Sequence, residues 1–296
     1  MDGGAVAQVR RFNRAVVRRV GALEEGYLGR DRPLGQARLL WEIGPEGAEV
    51  RELRARLGLD SGYLSRMLRA LEGADLVVVD TEETDARVRR VRLTSAGRAE
   101  RAELDRRSDA LAASILEPLN PRQRDRLIAA TGEVERLLTA STVGVAVTPP
   151  TRPEARDCLR AYAEELAGRF EGGFDPSVGP AAGAAEFTPP AGEFLVATLD
   201  GEPVGCVGAK FGADAAEIKR MWVAPAARGL GLARRLLAEI EERARVHGLR
   251  ATRLDTNATL VEAIALYRSA GYREVPPFND NPYAHHWFAK DLDPAG

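Results

Sequence analysis

Apolar residues recur every third or fourth position through the first 140 residues, then give way to strand-like alternation. Val9, Phe12, Val16, Val20 and Leu23 mark one stripe, which predicts a packed N-terminal helix. Val50, Leu53 and Leu57 mark a second helix that Gly58 stops; Leu64, Met67, Leu68 and Leu71 mark a third. Asp60 or Ser61 can cap that third helix by accepting its first free amides. The stripe leaves Ser61, Gly62, Tyr63, Ser65, Arg66 and Arg69 on the wetter face. "LVVVDTEETDARVRRVRLT" then predicts a β-hairpin with an arginine-rich second arm, and two long helices follow over about 97–140.

At 141–153, "STVGVAVTPPTRP", helical periodicity ends in β-branched residues, glycine and proline, which places a seam between domains 1–142 and 143–296. Beyond it, "GEFLVATLDGEPVGCVGAKF" predicts two strands turning at Asp200-Gly201, and "EIKRMWV" a third. "VAPAARGLGLARRLL" enters a helix with Leu232, Leu236, Leu237 and Ile240 on its apolar face, ending near His247-Gly248. "LRATRLDTNATLVEAIALYRSAGYREV" reads as strand, loop, short helix and strand, with a final strand in "HHWFAKDL". "EGGFDPSVGPAAGAAEFTPPAGE" is either a functional loop or a surface excursion. The fold class expected is two domains, the first mainly α with a helix-turn-helix and hairpin, the second α/β.

Composition narrows the classes. Of 296 residues, 45% are apolar and 29% charged, which is ordinary for a globular chain. Two cysteines, Cys158 and Cys206, are too few for a disulfide framework or a thiolate metal site and fit a reducing, cytoplasmic setting. No stretch approaches the roughly 20 apolar residues of a bilayer span, and the N-terminus is too charged for a signal peptide. The net charge of −2 is split into a slightly basic first half and a slightly acidic second. That small excess makes no case for nucleic acid unless the basic residues share one surface.

The first half does gather them. A short helix carrying Ser61, Tyr63, Ser65, Arg66 and Arg69 fits a DNA major groove. Arg87 at the hairpin tip can enter the adjacent minor groove, with Arg89 and Arg90 on the backbone; a solvated charged hairpin is the alternative. "SGYLSRMLRALEGADLV", Asp85-Ala86-Arg87 and "RLTSAGR", in this order, resemble the MarR family of winged helix-turn-helix regulators over about 5–140. The resemblance implies a homodimer, built by the N-terminal helix and the two long helices, on a palindromic duplex DNA site.

In the second half, Gly229 and Gly231 stand between a strand and a helix. The spacing is neither a triphosphate loop nor a dinucleotide fingerprint. Amides at a helix start suit a pyrophosphate, though a glycine pair there also serves packing alone. "V-x-P-x-x-R-G-x-G-x-A" from Val223 to Ala233 and "A-I-x-L-Y-x-x-x-G-Y" from Ala263 to Tyr272 resemble the GNAT superfamily of acetyl-CoA-dependent N-acyltransferases over about 145–296. The resemblance implies an α/β fold with a mixed, mostly antiparallel sheet. It also implies acetyl-CoA as co-substrate, with its pantetheine arm along Met221, Trp222 and Val223. Its pyrophosphate would lie on amides from Arg228 through Gly229, Leu230, Gly231 and Leu232 to Ala233. Tyr267 takes the place of the general acid, and Glu217 matches a base used by some relatives; a packed helix residue and a strand-end charge are the alternatives.

One departure is Leu260, where many relatives carry a pantetheine-binding Asn; Asn257 is out of register. For the acceptor amine, the segment Phe278–Tyr283 can shape a pocket, and Tyr162, Glu164 and Glu165 can attract an amine or form a solvated helix face. His285-His286 is read as structural or substrate-facing, with no metal expected, since adjacent strand residues face opposite sides. Three functional readings follow: a DNA-binding regulator fused to an acetyltransferase of small-molecule or peptide amines, a regulator that only senses acyl-CoA, or an acetyltransferase whose first domain only dimerises.

Overall fold

The computed structural model describes residues 2–22, 26–81, 88–175 and 183–292. Contacts divide the chain into two compact units, Met1–Ala130 and Thr131–Gly296. The division falls inside a helix that itself ends at Thr142, where the sequence places its seam.

The first unit is mainly helical: α1 (Gly3–Arg19), α2 (Leu34–Ile43), α3 (Val50–Leu57), α4 (Ser61–Gly73), α5 (Ser95–Leu116) and the start of α6 (Pro121–Thr142). Strands β1 (Ala48–Glu49), β2 (Val77–Thr81) and β3 (Arg89–Leu93) form a small antiparallel sheet in the order β1-β3-β2. Gly58 ends α3 in the left-handed region at φ 62°, and Asp60 caps α4 by accepting the Tyr63 amide at 2.8 Å. Leu64, Met67, Leu68 and Leu71 then turn inward against Leu39, Leu40, Leu53 and Leu104. Gly97 is required by contact: a Cβ there would stand 1.9 Å from the Leu76 carbonyl oxygen, so only glycine lets α5 start against β2.

The N-terminal stripe corrects the expectation of a packed helix. Helix α1 forms, but buries none of its residues within this chain, and Val9, Phe12 and Val16 stay exposed. Strand β1, which the sequence pattern does not predict, is only two residues long and owes its state to pairing with Val91 and Arg90.

The second unit is built on a seven-stranded sheet, β4 (Gly144–Val147), β5 (Gly192–Leu199), β6 (Glu202–Phe211), β7 (Ala215–Val223), β8 (Ala251–Thr256), β9 (Arg273–Glu274) and β10 (His286–Asp291), in the order β4-β5-β6-β7-β8-β10-β9. Every pairing is antiparallel except β7 with β8, so the sheet is mixed and mostly antiparallel, as expected. Part of the seam is thus a strand, since Gly144–Val147 pairs along β5. The β5–β6 turn has positive φ at both Asp200 and Gly201, the conformation that suits a tight hairpin.

Alternation sorts the sheet into two faces. Leu195, Ala197 and Val207 pack with α8 (Leu232–Val246) and α9 (Val261–Ser269). Phe194, Val196 and Cys206 face the opposite way, with Ala155 and Cys158 of α7 (Pro153–Arg169). Among the described residues no helix is long and apolar enough to cross a membrane.

Candidate active site

A break in the sheet makes the site. On β6 and β7, Cys206 pairs with Trp222 and Gly208 with Lys219, so Val207 stands opposite two residues, Arg220 and Met221. This bulge puts Arg220 at φ 55°, in the left-handed region that bulged strands use to bend. The parallel pairing of β7 with β8 runs from Ala215–Ala251 only to Ile218–Leu254. Beyond it β8 pairs with β10 alone, and β7 and β8 part at Lys219 and Asp255.

A cavity of about 160 Å³ opens in that gap, between α7 and α9. Lys219, Arg220, Met221, Asp255 and Tyr267 lie along it, and Tyr162, Phe170, Phe174 and Tyr283 wall one side. Tyr267 is buried on α9, its hydroxyl 4.0 Å from the Met221 sulfur. Burial, with the Asp255 charge adding to it, pushes the phenol above its ordinary value, so it stays protonated throughout the physiological range.

Acidic groups at the base of the gap are held by cations and amides. Asp255, with a side chain 3% exposed, pairs with Lys219 and accepts from Asn281 and, at 3.0 Å, from Asn279. Glu217 accepts from Asn279 at 3.1 Å and pairs with Lys219 at 2.9 Å and Arg253 at 3.2 Å. Burial works against the Glu217 charge, but Lys219, Asn279 and Arg253 outweigh it and hold the carboxyl below its ordinary value. Glu217 stands behind the cavity wall, whereas its neighbours Ile218 and Lys219 line it.

The glycine loop connects β7 to the start of α8. Gly229 and Gly231 sit at φ 83° and 74°, and Gly231 occupies the N-cap position with no side-chain cap. The first amides of α8 have no intrahelical acceptor, and they carry the positive end of the helix dipole. Neither glycine would place a Cβ within 4 Å of anything, so the space before these amides is open, as a pyrophosphate requires. Leu230 and Ala233 pack at the edge of the core and Leu232 is buried in it, leaving their amides as the groups that face the loop.

Two side chains in the cofactor segments, Trp222 and Arg228, are committed to partners within the protein. The Trp222 indole N–H donates to Glu165 at 2.9 Å, and Arg228 grips the same carboxylate at 2.8 and 2.6 Å while its Nε donates to the Val223 carbonyl. Of the three β7 residues, Met221 alone turns its side chain into the cavity among the described residues. Glu165 also pairs with Arg169 at 3.5 Å, so it braces α7 against the glycine loop and is occupied as an amine partner. Glu164 is exposed, and Tyr162 is the member of that trio in the cavity. Asn257 donates to the Tyr283 carbonyl and accepts from Thr259; Leu260 lines the cavity. His285 accepts from the Ala258 amide and His286 pairs with Glu274, each in a structural contact.

Asn281 and Tyr283, from the segment expected to shape a pocket, do line the cavity, whereas sequence reasoning passed over Asp255, Lys219 and the rings at 170 and 174. A signal existed for one of them: "RLDTN" places an acid on a strand that otherwise alternates toward the core, where water is excluded.

In the first unit, Ser61, Tyr63, Arg66 and Arg69 are exposed on α4 and Ser65 is half-buried. Arg66 lies over the Tyr63 ring at 5.7 Å, and Arg69 donates to the Ser65 carbonyl. Arg89 and Arg90 alternate across β3, with Arg90 on the outer face beside Arg92, which pairs with Asp80 across the hairpin. Arg87 lies outside the described residues.

Residues 159–272 match the Acetyltransferase (GNAT) family. Over 92 residues the chain is 44% identical to an IAA acetyltransferase of Azospirillum brasilense, covering 30% of this chain and 59% of that protein. Over 89 residues it is 40% identical to an N-acetylaspartate synthetase of Homo sapiens, covering 29% of this chain and 30% of that one. The chain thus spans less than two thirds of these relatives' length. Among solved structures, an acyl-CoA N-acyltransferase from Klebsiella pneumoniae aligns with a TM-score of 0.41 at 24% identity, over 51% of this chain and 98% of that one.

Proposed function

We propose that the second unit transfers an acetyl group from acetyl-CoA to a primary amine of a small molecule or peptide. One observation carries this reading: β7 and β8 part beside an uncapped helix start with two left-handed glycines, inside the segment that matches the acetyltransferase family. Acetyl-CoA supplies an activated thioester. Amides from Arg228 to Ala233 receive its pyrophosphate, and the unpaired edge of β7 from Met221 to Val223 runs beside the pantetheine arm. The amine nitrogen forms a bond to the acetyl carbon as the carbon–sulfur bond breaks, its electron pair leaving on sulfur. Tyr267 gives its proton to that sulfur and regains one from the acylated nitrogen. Glu217 acts at one remove, as a positioning residue that fixes Lys219 and Asn279 around Asp255.

The test is thiol release from acetyl-CoA with an amine panel, using the full chain. Tyr267→Phe is expected to lower kcat by about 100-fold or more with the acetyl-CoA KM unchanged, the usual weight of a general acid. Undiminished turnover in this variant would remove Tyr267 from the mechanism. Acetyl-CoA binding without turnover of any amine would favour a sensor.

A second reading concerns the first unit, as a MarR-type winged helix-turn-helix regulator that binds duplex DNA. Its support is the exposed face of α4 bearing Tyr63, Arg66 and Arg69, with the Arg89–Arg90 arm on the adjoining hairpin. The exposed Val9, Phe12 and Val16 of α1 support a homodimer on a palindromic site. Titrating DNA at several salt concentrations tests it. Arg66→Ala is expected to weaken binding by about 1–3 kcal/mol if it reads a base, and no salt-dependent binding to any duplex would leave dimerisation alone.

A further inference from the structure

The wall of the cavity is more specific than acyl transfer requires. Four rings from three segments form it: Tyr162 on α7, Phe170 and Phe174 just beyond its end, and Tyr283 in the loop before β10. They are in mutual contact, with centroids 5.9 Å apart for Tyr162–Phe174, 5.8 Å for Phe170–Phe174 and 5.0 Å for Phe174–Tyr283. The wall is fastened in place, because the Asp175 amide donates to the Tyr283 hydroxyl at 3.0 Å and Asn257 donates to the Tyr283 carbonyl at 2.8 Å.

A carboxylate, Asp255, lines the same cavity as the rings. An ionised carboxylate offers about four acceptor sites. Lys219, Asn279 and Asn281 occupy three on Asp255, which leaves capacity for one further donor from a molecule in the cavity. The nearby cations are directed elsewhere: Lys219 to Glu217 and Asp255, and the Arg220 guanidinium over the Phe187 ring at 5.3 Å. An acid on the acceptor would compete with these contacts, and on the ring-lined side a second ammonium or a chain of hydroxyls would exchange water for ring faces and for Leu159, Leu166 and Leu260.

We infer that the acceptor is a primary amine on an aromatic or bulky apolar body, its nitrogen taken by Asp255 and its body held against Tyr162, Phe170, Phe174 and Tyr283. The inference rests on the acetyl-transfer reading. It adds a chemical reason for the rings: their faces hold the arriving ammonium beside Asp255, and the nitrogen attacks once its proton has passed to solvent.

The experiment compares kcat/KM for phenethylamine, spermidine and L-aspartate at saturating acetyl-CoA, and measures by calorimetry the binding of phenethylamine to the full chain loaded with CoA. Phenethylamine is expected to lead the other two by at least 10-fold and to bind the loaded protein. Phe174→Ala is expected to raise its KM about 10-fold and Phe174→Leu to restore part of that, with kcat and the acetyl-CoA KM unchanged in both. Preference for aspartate or spermidine, or an unchanged phenethylamine KM in Phe174→Ala, overturns the inference and leaves acyl transfer standing. Absence of both turnover with any amine and phenethylamine binding overturns the two together.

Discussion

Helices α4 and α8 start in opposite ways. Helix α4 begins behind Asp60, whose carboxylate accepts the Tyr63 amide and closes the positive end of the helix. Helix α8 begins behind Gly231, which has no side chain to offer, and its first amides stay open. A closed start can present only what lies along the helix, here Tyr63, Arg66 and Arg69. An open start presents the backbone itself, a donor set that does not depend on side-chain identity. The first arrangement suits contact with a large, flat or grooved partner and the second a compact anion.

Closing the open start is the sharpest challenge to this contrast. Gly231→Asp brings a carboxylate to the place proposed for pyrophosphate, and the acetyl-CoA KM is expected to rise about 100-fold through repulsion and lost amide contacts. Calorimetric titration with CoA checks it, and an unchanged affinity would place the cofactor elsewhere.

A smaller effect is a pH dependence set within the first unit. Glu100 is buried in the first unit, where hydrogen bonding to Arg30 is the main reason its carboxyl lies below its ordinary value, with Arg32 adding to it. A depressed acid stabilises the fold fully above the ordinary carboxylate value, near 4.3, and that stability drains as pH falls through the lower folded value. Thermal melts from pH 6 to 3 are therefore expected to lose stability in the acid range, and Glu100→Gln to flatten that loss while costing about 2 kcal/mol at neutral pH. Smallest is the opening of the closed start. Asp60→Ala is expected to cost about 1 kcal/mol, read from urea melts, without creating affinity for CoA.

The contrast also explains what could be read in advance. Short-range chemistry was legible: Gly58, the Asp200-Gly201 turn and the Gly229–Gly231 loop each declare a backbone conformation that few other residues adopt, and Asp60 declares a helix start through its side chain. Periodicity placed the long elements for the same reason, since each buries a face. It misjudged α1, because a stripe at helical spacing says that a face is apolar and not that this chain covers it. The cavity was largely hidden. Asp255, Phe174 and Tyr283 come from separate segments that only the folded chain brings to one cavity. Glu217 was visible as an acid on a strand, but its three partners, two of them from distant segments, decide that its charge is pinned.

The insertion of β10 between β8 and β9 has a consequence during synthesis. Until His286–Asp291 emerges from the ribosome, β8 has only its four-residue parallel pairing with β7, from Ala251 to Leu254, and its other edge is bare. An open strand edge offers unpaired amides and carbonyls to other chains, and the charges of Arg253 and Asp255 oppose such pairing. Closure of that edge therefore waits for the arrival of one six-residue strand.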